Sequence, residues 1–376
     1  MPENKKHHFV PKFYLRRFSR NGKSINLWNI PRQRKILSAN LKSQCYRDYF
    51  YGKDQTVEHA LGESEGQAAE IFRLIDNNSP PPPGSPIHLM LMIYVLAQYG
   101  RSAYSIDALQ DMNDQMMKRL LGHMPEAKDY DLSKFKIELK EAGRYSVGLV
   151  VQNYPLMLDL DYKILLNKTD CELVASDNPV VLYNQFLKFM KFGSNTGLAC
   201  KGLQIFLPVG PDKAIFFFDP EVYSVGGGAK LTVDLTKPRD IYELNTLQIC
   251  NASKNVYFKN DEFNIEALAK RGEPFRRKKK STVSGFPTIE DPCRKSELIA
   301  ASREDVNTNL HLTFVRVRGA ARKWATTFKK QKHWPSAVVR NQELCEDHKE
   351  FLNLVREGKF EPSEFFEFMD SRHDRS

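Results

Sequence analysis

The sequence predicts an α+β protein: an N-terminal helical bundle with a small hairpin, followed by a mixed or antiparallel sheet region. Three observations predict it. Apolar residues recur at helical spacing through much of 55–154. Past Pro155 the pattern changes to short apolar or alternating runs broken by Gly, Pro and Asn. The chain has 376 residues, 41% hydrophobic and 27% charged, which suffices for a core in one large or two ordinary domains.

The first stretch to explain is HHFVPKFYLRRF, residues 7–18, which places two imidazoles, four aromatics and three basic residues in twelve positions. Chain ends are usually frayed and polar, so this one is expected to dock. A helix after Pro11 puts Phe13, Tyr14 and Phe18 at core spacing and turns Lys12, Arg16 and Arg17 elsewhere. Residues 24–30 alternate and stop at Pro31, which predicts a strand that 35–41 can pair with. Residues 46–51, YRDYFY, cluster aromatics beside Arg47 and Lys53. They either pack against the first helix or offer bases a stacking surface. Residues 55–77 read as a helix with Val57, Leu61, Ala68, Ile71, Phe72 and Ile75 facing inward. Glu58 and Glu65, seven apart, share one of its faces. The proline run at 77–86 cannot continue a helix and predicts an extended spacer. Residues 87–105 are apolar nearly all round, the mark of a buried helix, yet they carry Gln98 and Arg101 three apart. A buried guanidinium needs a carboxylate, a phosphate or several carbonyls, and Glu58, Glu65 or Asp177 can supply the first. Residues 107–121 and 132–154 complete the helical part.

In the second half, 156–166 and 172–175 read as strands, the latter closed by Ser176-Asp177-Asn178-Pro179. That tetrapeptide suits a turn and suits metal or phosphate contacts equally. Strands are also predicted at 180–183, 203–208, 214–219 and 231–233. Gly226, Gly227 and Gly228 lack the Lys-Ser/Thr and helix start of a phosphate loop, so they read as a hairpin loop. A helix at 239–252 and a strand at 255–259 follow. Residues 275–287, FRRKKKSTVSGFP, hold five consecutive basic residues and predict a mobile surface loop, with a nucleic-acid arm as the other reading. A strand at 311–319, a basic segment at 320–333, a helix at 342–356 and a frayed tail after Phe360 end the chain. The organisation expected is an N-terminal segment with hairpin and acidic helix (1–77), a bundle (87–154), a strand-rich region completing the same domain (155–260) and a basic C-terminal extension (261–376).

With its HHFVP start followed by FYLRRF, the chain resembles a functionally uncharacterised, mostly prokaryotic domain-of-unknown-function family. That family has an N-terminal HxxP signature, here His8-Phe9-Val10-Pro11. Its pattern continues with acidic residues on an early helix, a Gln-x-x-Arg helix and an SDNP-like turn. The counterparts here are Glu58 and Glu65, Gln98 and Arg101, and Ser176 through Pro179. The resemblance spans most of 5–260 and implies that these polar residues share a site, without implying a settled activity.

A net charge of +10 and a pI near 9.1 point to an acidic partner, nucleic acid first, although lectins, membrane-surface proteins and ordinary basic enzymes reach similar totals. The six cysteines, at 45, 171, 200, 250, 293 and 345, lack zinc-ribbon spacing. They argue against a disulfide scaffold and for a reducing compartment. No apolar run reaches membrane-spanning length and no leader-like apolar stretch opens the chain, so a cytoplasmic protein with no membrane partner is expected. Nucleophile-elbow, zincin and EF-hand patterns are absent. The chemistry that remains is metal-dependent hydrolysis of nucleic-acid phosphodiesters. In it Glu58, Glu65 and Asp177 hold Mg²⁺ or Mn²⁺, His8 activates water, and Arg101 offsets charge on the phosphate. Gln98 and Asn178 complete the polar set, and phage defence or a toxin role is the expected setting. The alternative is a non-catalytic nucleic-acid or protein binding module, with the same residues forming a structural polar core. A third reading is cleavage of a nucleotide or small phosphate metabolite.

Overall fold

The computed structural model describes residues 5–190, 195–287, 297–304, 306–331 and 338–373; Cys293 and the end of the 320–333 segment lie outside them. The N-terminal stretch docks as its aromatics require. Lys6–His8 forms strand β1, and Pro11 leads into a short helix α1, Lys12–Arg16. Tyr14, Leu15 and Phe18 are fully buried, and the Tyr14 hydroxyl donates to the Pro208 carbonyl at 2.6 Å. Strands β2 (Ser24–Asn29) and β3 (Arg34–Asn40) form the predicted hairpin. β4 (Tyr46–Asp48) then returns antiparallel to β1, with His8 opposite Tyr46.

Helix α2 (Thr56–Asp76) buries Leu61, Ala68, Ile71, Phe72 and Ile75, as its period demands. The proline run is no free spacer, since the Tyr162 hydroxyl donates to the Pro81 carbonyl and the Gly84 N–H donates to His88 Nδ1 at 3.1 Å. Helix α3 (Pro86–Arg101) stops four residues short of the expected 87–105 helix. Ser102 is extended there, and its hydroxyl accepts the Ser105 N–H at 3.1 Å, capping α4 (Ala103–Gly122). The helix expected over 132–154 is found only as α5 (Ala142–Val151). Side chains of α4 capture the backbone before it: Gln110 makes both a donor and an acceptor bond with Leu139 at 2.8 Å, and Asp114 accepts from Ile137 N–H at 2.7 Å. Such side-chain bonds compete directly with helical ones.

The second half supplies β5 (Asp161–Asn167), β6 (Ala175–Ser176), β7 (Val181–Tyr183), β8 (Gln204–Gly210), β9 (Lys213–Phe218), β10 (Tyr223–Val225) and β11 (Thr232–Leu235). Helix α6 (Pro238–Asn251), β12 (Asn255–Phe258) and helix α7 (Ile265–Gly272) follow. The expected strand at 156–166 begins only at Asp161, and the one at 172–175 is reduced to β6. One sheet has the order β11-β5-β9-β8-β7, parallel at β11–β5 and otherwise antiparallel; the other runs β3-β2-β12-β6. Alternation along the five-stranded sheet splits the core. Ile164, Ile205, Leu207, Ile215 and Phe217 face the N-terminal helices, while Leu165, Phe206, Phe216 and Phe218 face Leu244 and Leu247 of α6.

The C-terminal quarter departs furthest from expectation. Instead of a mobile loop, the end of 275–287 forms β13 (Ser281–Pro287), paired with β14 (Glu297–Arg303) across seven residue pairs. The strand read at 311–319 is only β15 (Val315–Val317), which adds to β10. Helices α8 (Gly319–Phe328) and α9 (Gln342–Arg356) precede α10 (Phe365–His373), which occupies the tail read as frayed. Burial of Phe365 and Phe368 beside Phe351, in the same cluster as Phe9 and Tyr14, is what orders it. No helix among the described residues is long and apolar enough to cross a membrane.

Candidate functional site

The β1–β4 pair carries the two histidines to opposite faces, because successive strand residues alternate. His7 is fully buried and lies flat on Tyr51, with ring centroids 5.7 Å apart and planes 8° from parallel. Its Nδ1 accepts the Tyr51 N–H at 3.2 Å. His8 faces the other way, against Tyr46, whose ring also lies 4.7 Å below the Lys6 ammonium. His8 Nδ1 is 3.1 Å from the Gln44 carbonyl. A carbonyl only accepts, so Nδ1 carries the proton and Nε2 presents its lone pair. Burial, and after it the charge of Lys12, lowers the His8 pKa to about 4, against the opposing bond to Gln44; Arg101 and Lys6 lower it further. The imidazole is therefore neutral near pH 7.

Arg101 ends α3 with 2% of its surface exposed. Its guanidinium donates to Glu65 Oε1 at 2.7 Å, to the His8 carbonyl, and to the Tyr51 hydroxyl at 3.4 Å. Tyr51 returns a bond from its hydroxyl to the Arg101 carbonyl at 3.1 Å. Gln98, one turn earlier, donates to the Phe9 carbonyl at 3.0 Å, and its own side-chain oxygen is buried without a hydrogen-bond partner among the described residues. Both α3 side chains thus grip the backbone of the HFVP segment. Glu58 lies one face-repeat before Glu65 on α2. Desolvation raises its pKa, partly offset by His7, Arg101 and Lys12, with Glu65 adding to the rise. Lys12 and Arg101 act on both His8 and Glu58, but the first charge acting on Glu58 is that of His7, on the face opposite the His8 ring.

Asp177 and Asn178 belong to a different construction. The Asp177 carboxylate accepts the backbone N–H groups of Ser253, Lys254 and Asn255 at 2.8, 2.7 and 3.1 Å. Desolvation raises its pKa, and those three bonds oppose the rise. Asn178 donates to the Asn251 carbonyl at 3.2 Å, and Asn251 reciprocates to the Asn178 and Val180 carbonyls. The SDNP turn therefore fastens the end of α6 and the start of β12.

Of the seven residues singled out in the sequence, Glu65, Arg101 and Gln98 are tied by hydrogen bonds to each other or to the backbone of His8 and Phe9, and Glu58 shares the helix face of Glu65, whereas the hydrogen bonds of Asp177 and Asn178 among the described residues go elsewhere. Glu65 is engaged by Arg101 and Asp177 by backbone, and no group of three His, Cys, Asp or Glu side chains among the described residues is arranged to hold a metal ion. The donor set does not fit a cation shared by Glu58, Glu65 and Asp177. Sequence reasoning missed Tyr51, Gln44, Lys12 and Tyr46. The aromatic cluster YRDYFY, read as packing against the docked N-terminal helix, was the signal available for the two tyrosines. Compared with known proteins, residues 6–262 match the family model described as "Protein of unknown function (DUF4238)". No curated protein and no solved structure matches the chain.

Proposed function

We propose that this chain, which belongs to the DUF4238 family, is a nucleic-acid phosphodiesterase that works by general acid–base chemistry at His8 and Glu58. The observation that carries the reading is the His8 ring. Its Nδ1–H is fixed on Gln44, its Nε2 lone pair makes no hydrogen bond among the described residues, and Lys6, Lys12 and Arg101 surround it with positive charge. A phosphate drawn to those cations offsets the charges that depress the imidazole and makes it a stronger base. His8 Nε2 then takes a proton from the attacking water as its oxygen bonds to phosphorus. The bond to the leaving oxygen breaks, and Glu58, its carboxyl held protonated more readily by burial, returns a proton to that oxygen. Lys12 supports the charge on the non-bridging oxygens. We place this activity in the cytoplasm, in phage defence or as a toxin.

A second reading is favoured by one specific observation: Gln98, Arg101, Asp177 and Asn178 are all held by hydrogen bonds to the protein itself. It makes the chain a non-catalytic nucleic-acid binding module with a structural polar core. Labelled single-stranded RNA and DNA incubated with the full chain, with Mg²⁺, with Mn²⁺ and with EDTA, separate the two. We expect cleavage of at least one polymer, reduced by about 10²- to 10⁴-fold in His8→Ala. Binding without cleavage under every condition leaves the module reading standing, and dependence on the divalent ion restores a metal to the mechanism.

A further inference from the structure

We propose that the pocket between Tyr104 of α4, the C-terminal end of α6 and residues 276–280 is a second, sequence-independent anchor for the phosphate backbone of nucleic acid, separate from the His8 locality. The proposal rests on the reading of nucleic acid as ligand and adds to it the surface that holds the strand. It draws on a part of the chain, 276–280, that lies beyond the residues matched by the family model.

The pocket has a volume of about 180 Å³ and is lined by Tyr104, by Cys250, Asn251, Ala252 and Ser253, and by all five basic residues of the run. No carboxylate is in that lining. Acids approach it from outside the lining: Glu273 lies 4.0 Å from Arg276, Asp107 lies 3.6 Å from Lys280, Glu304 accepts the Lys279 backbone N–H and offers its carbonyl to Arg277 at 2.7 Å, and the Asp177 carboxylate beneath Ser253 acts on Arg276.

The two arginines are fixed in place. Arg276 donates to the carbonyls of Ala252 and Ser253 at 3.0 and 3.3 Å, which sets a guanidinium just past the C-terminal end of α6. Its Nε–H is buried with no acceptor among the described residues. A buried charged donor without an acceptor is costly, which is an independent reason to expect an anion there. Arg277 lies over the Tyr104 ring at 4.3 Å, as Arg303 lies over Tyr99 at 5.2 Å on the adjoining turn. Tyr104 is itself buried beneath Arg277, so it acts as a platform for the guanidinium and not as a stacking surface for a base. The site therefore reads phosphates. Lys278 and Lys279 are exposed and add charge at the rim.

The floor of this pocket is where Asp177 and Asn178 act. Asp177 pins the N–H groups of Ser253 to Asn255, and Asn178 with Asn251 locks the last turn of α6. They are positioning residues for the anchor, with no contact to the ligand required.

The test uses the full chain and a labelled oligonucleotide of about twelve nucleotides, with affinity followed against salt. Each phosphate contact on a single strand contributes about 0.7 to the slope of log affinity against log salt. Lys278→Gln with Lys279→Gln is expected to make the slope shallower by about 1.4, while Lys323→Gln with Lys330→Gln, an equal charge change elsewhere, leaves it unaltered. Arg277→Lys, which keeps the charge and loses the fork over Tyr104, is expected to weaken binding; circular dichroism matching the parent excludes a folding defect. Equal slopes for the two lysine pairs, or poly-glutamate bound as tightly as the oligonucleotide, overturns the anchor. The hydrolysis reading fails separately, through absence of cleavage, and leaves these slopes untouched.

Discussion

At the scale of single residues, the polar side chains of the N-terminal half are held by what they bond to, and removing a partner should cost accordingly. Arg101 is fully buried, and Arg101→Met would strand the Glu65 carboxylate and the His8 carbonyl. A loss of about 3 kcal/mol or more is expected in urea unfolding, with Arg101→Lys recovering only part of it, because an ammonium lacks the planar fork that reaches three acceptors. His88 supplies a test of sign. It stacks on Tyr162 at 4.6 Å, is buried, and desolvation lowers its pKa from 6.5 to about 4. Below pH 6.5 the unfolded chain takes up a proton that the folded chain refuses until about pH 4. The stability this histidine contributes is therefore present above pH 6.5 and is lost as pH falls, by roughly 3 kcal/mol at 1.4 kcal/mol per unit. Glu58, Glu172 and Asp177, whose pKa values burial raises, work in the opposite direction, so the comparison must be with His88→Phe, whose melting temperature should fall less between pH 7 and 4 than the parent's.

At the scale of elements, the contact that sets the helical half is the close crossing of α3 and α5. Gly100 permits it: a Cβ there would lie 2.9 Å from the Ser146 carbonyl and 3.1 Å from Val147 Cα, and the Ser146 hydroxyl donates to the Gly100 carbonyl at 2.7 Å. Gly100→Ala should destabilise by about 1–3 kcal/mol through overpacking, although alanine is the better helix former, and a lower urea midpoint at unchanged slope would show it. Nothing local in the sequence announces this crossing. The period of α2, the alternation of β2 and the apolar run of β9 are readable because the burial of each leaves a pattern in its own residues. The segment 135–141 is not, since its backbone bonds go to Gln110 and Asp114 of another element. β13 and β14 were hidden for a different reason, as neither STVSGFP nor ELIAASR alternates apolar with polar residues.

At the scale of the whole molecule, one hydrophobic cluster runs from Phe9 of the N-terminal stretch through α2, α3 and the five-stranded sheet to Phe351, Phe365 and Phe368. The C-terminal helices are thus part of the core that supports β1 and His8. Phe368→Ala should cost about 3–5 kcal/mol and lower a single cooperative transition, reported alike by tryptophan fluorescence and circular dichroism. A separate early transition, with the rest of the protein unaffected, would contradict the shared core. By itself the sequence determined the α+β class, most element positions, the docking of the N-terminus and the need of Arg101 for a buried partner, because periodicity, burial and desolvation act locally. Only the tertiary structure decided which partner Arg101 takes, that Asp177 turns to backbone instead of to the other acids, and that residues 276–280 fold onto the end of α6. Those outcomes depend on which distant groups arrive at hydrogen-bond distance, and no spacing along the chain encodes it.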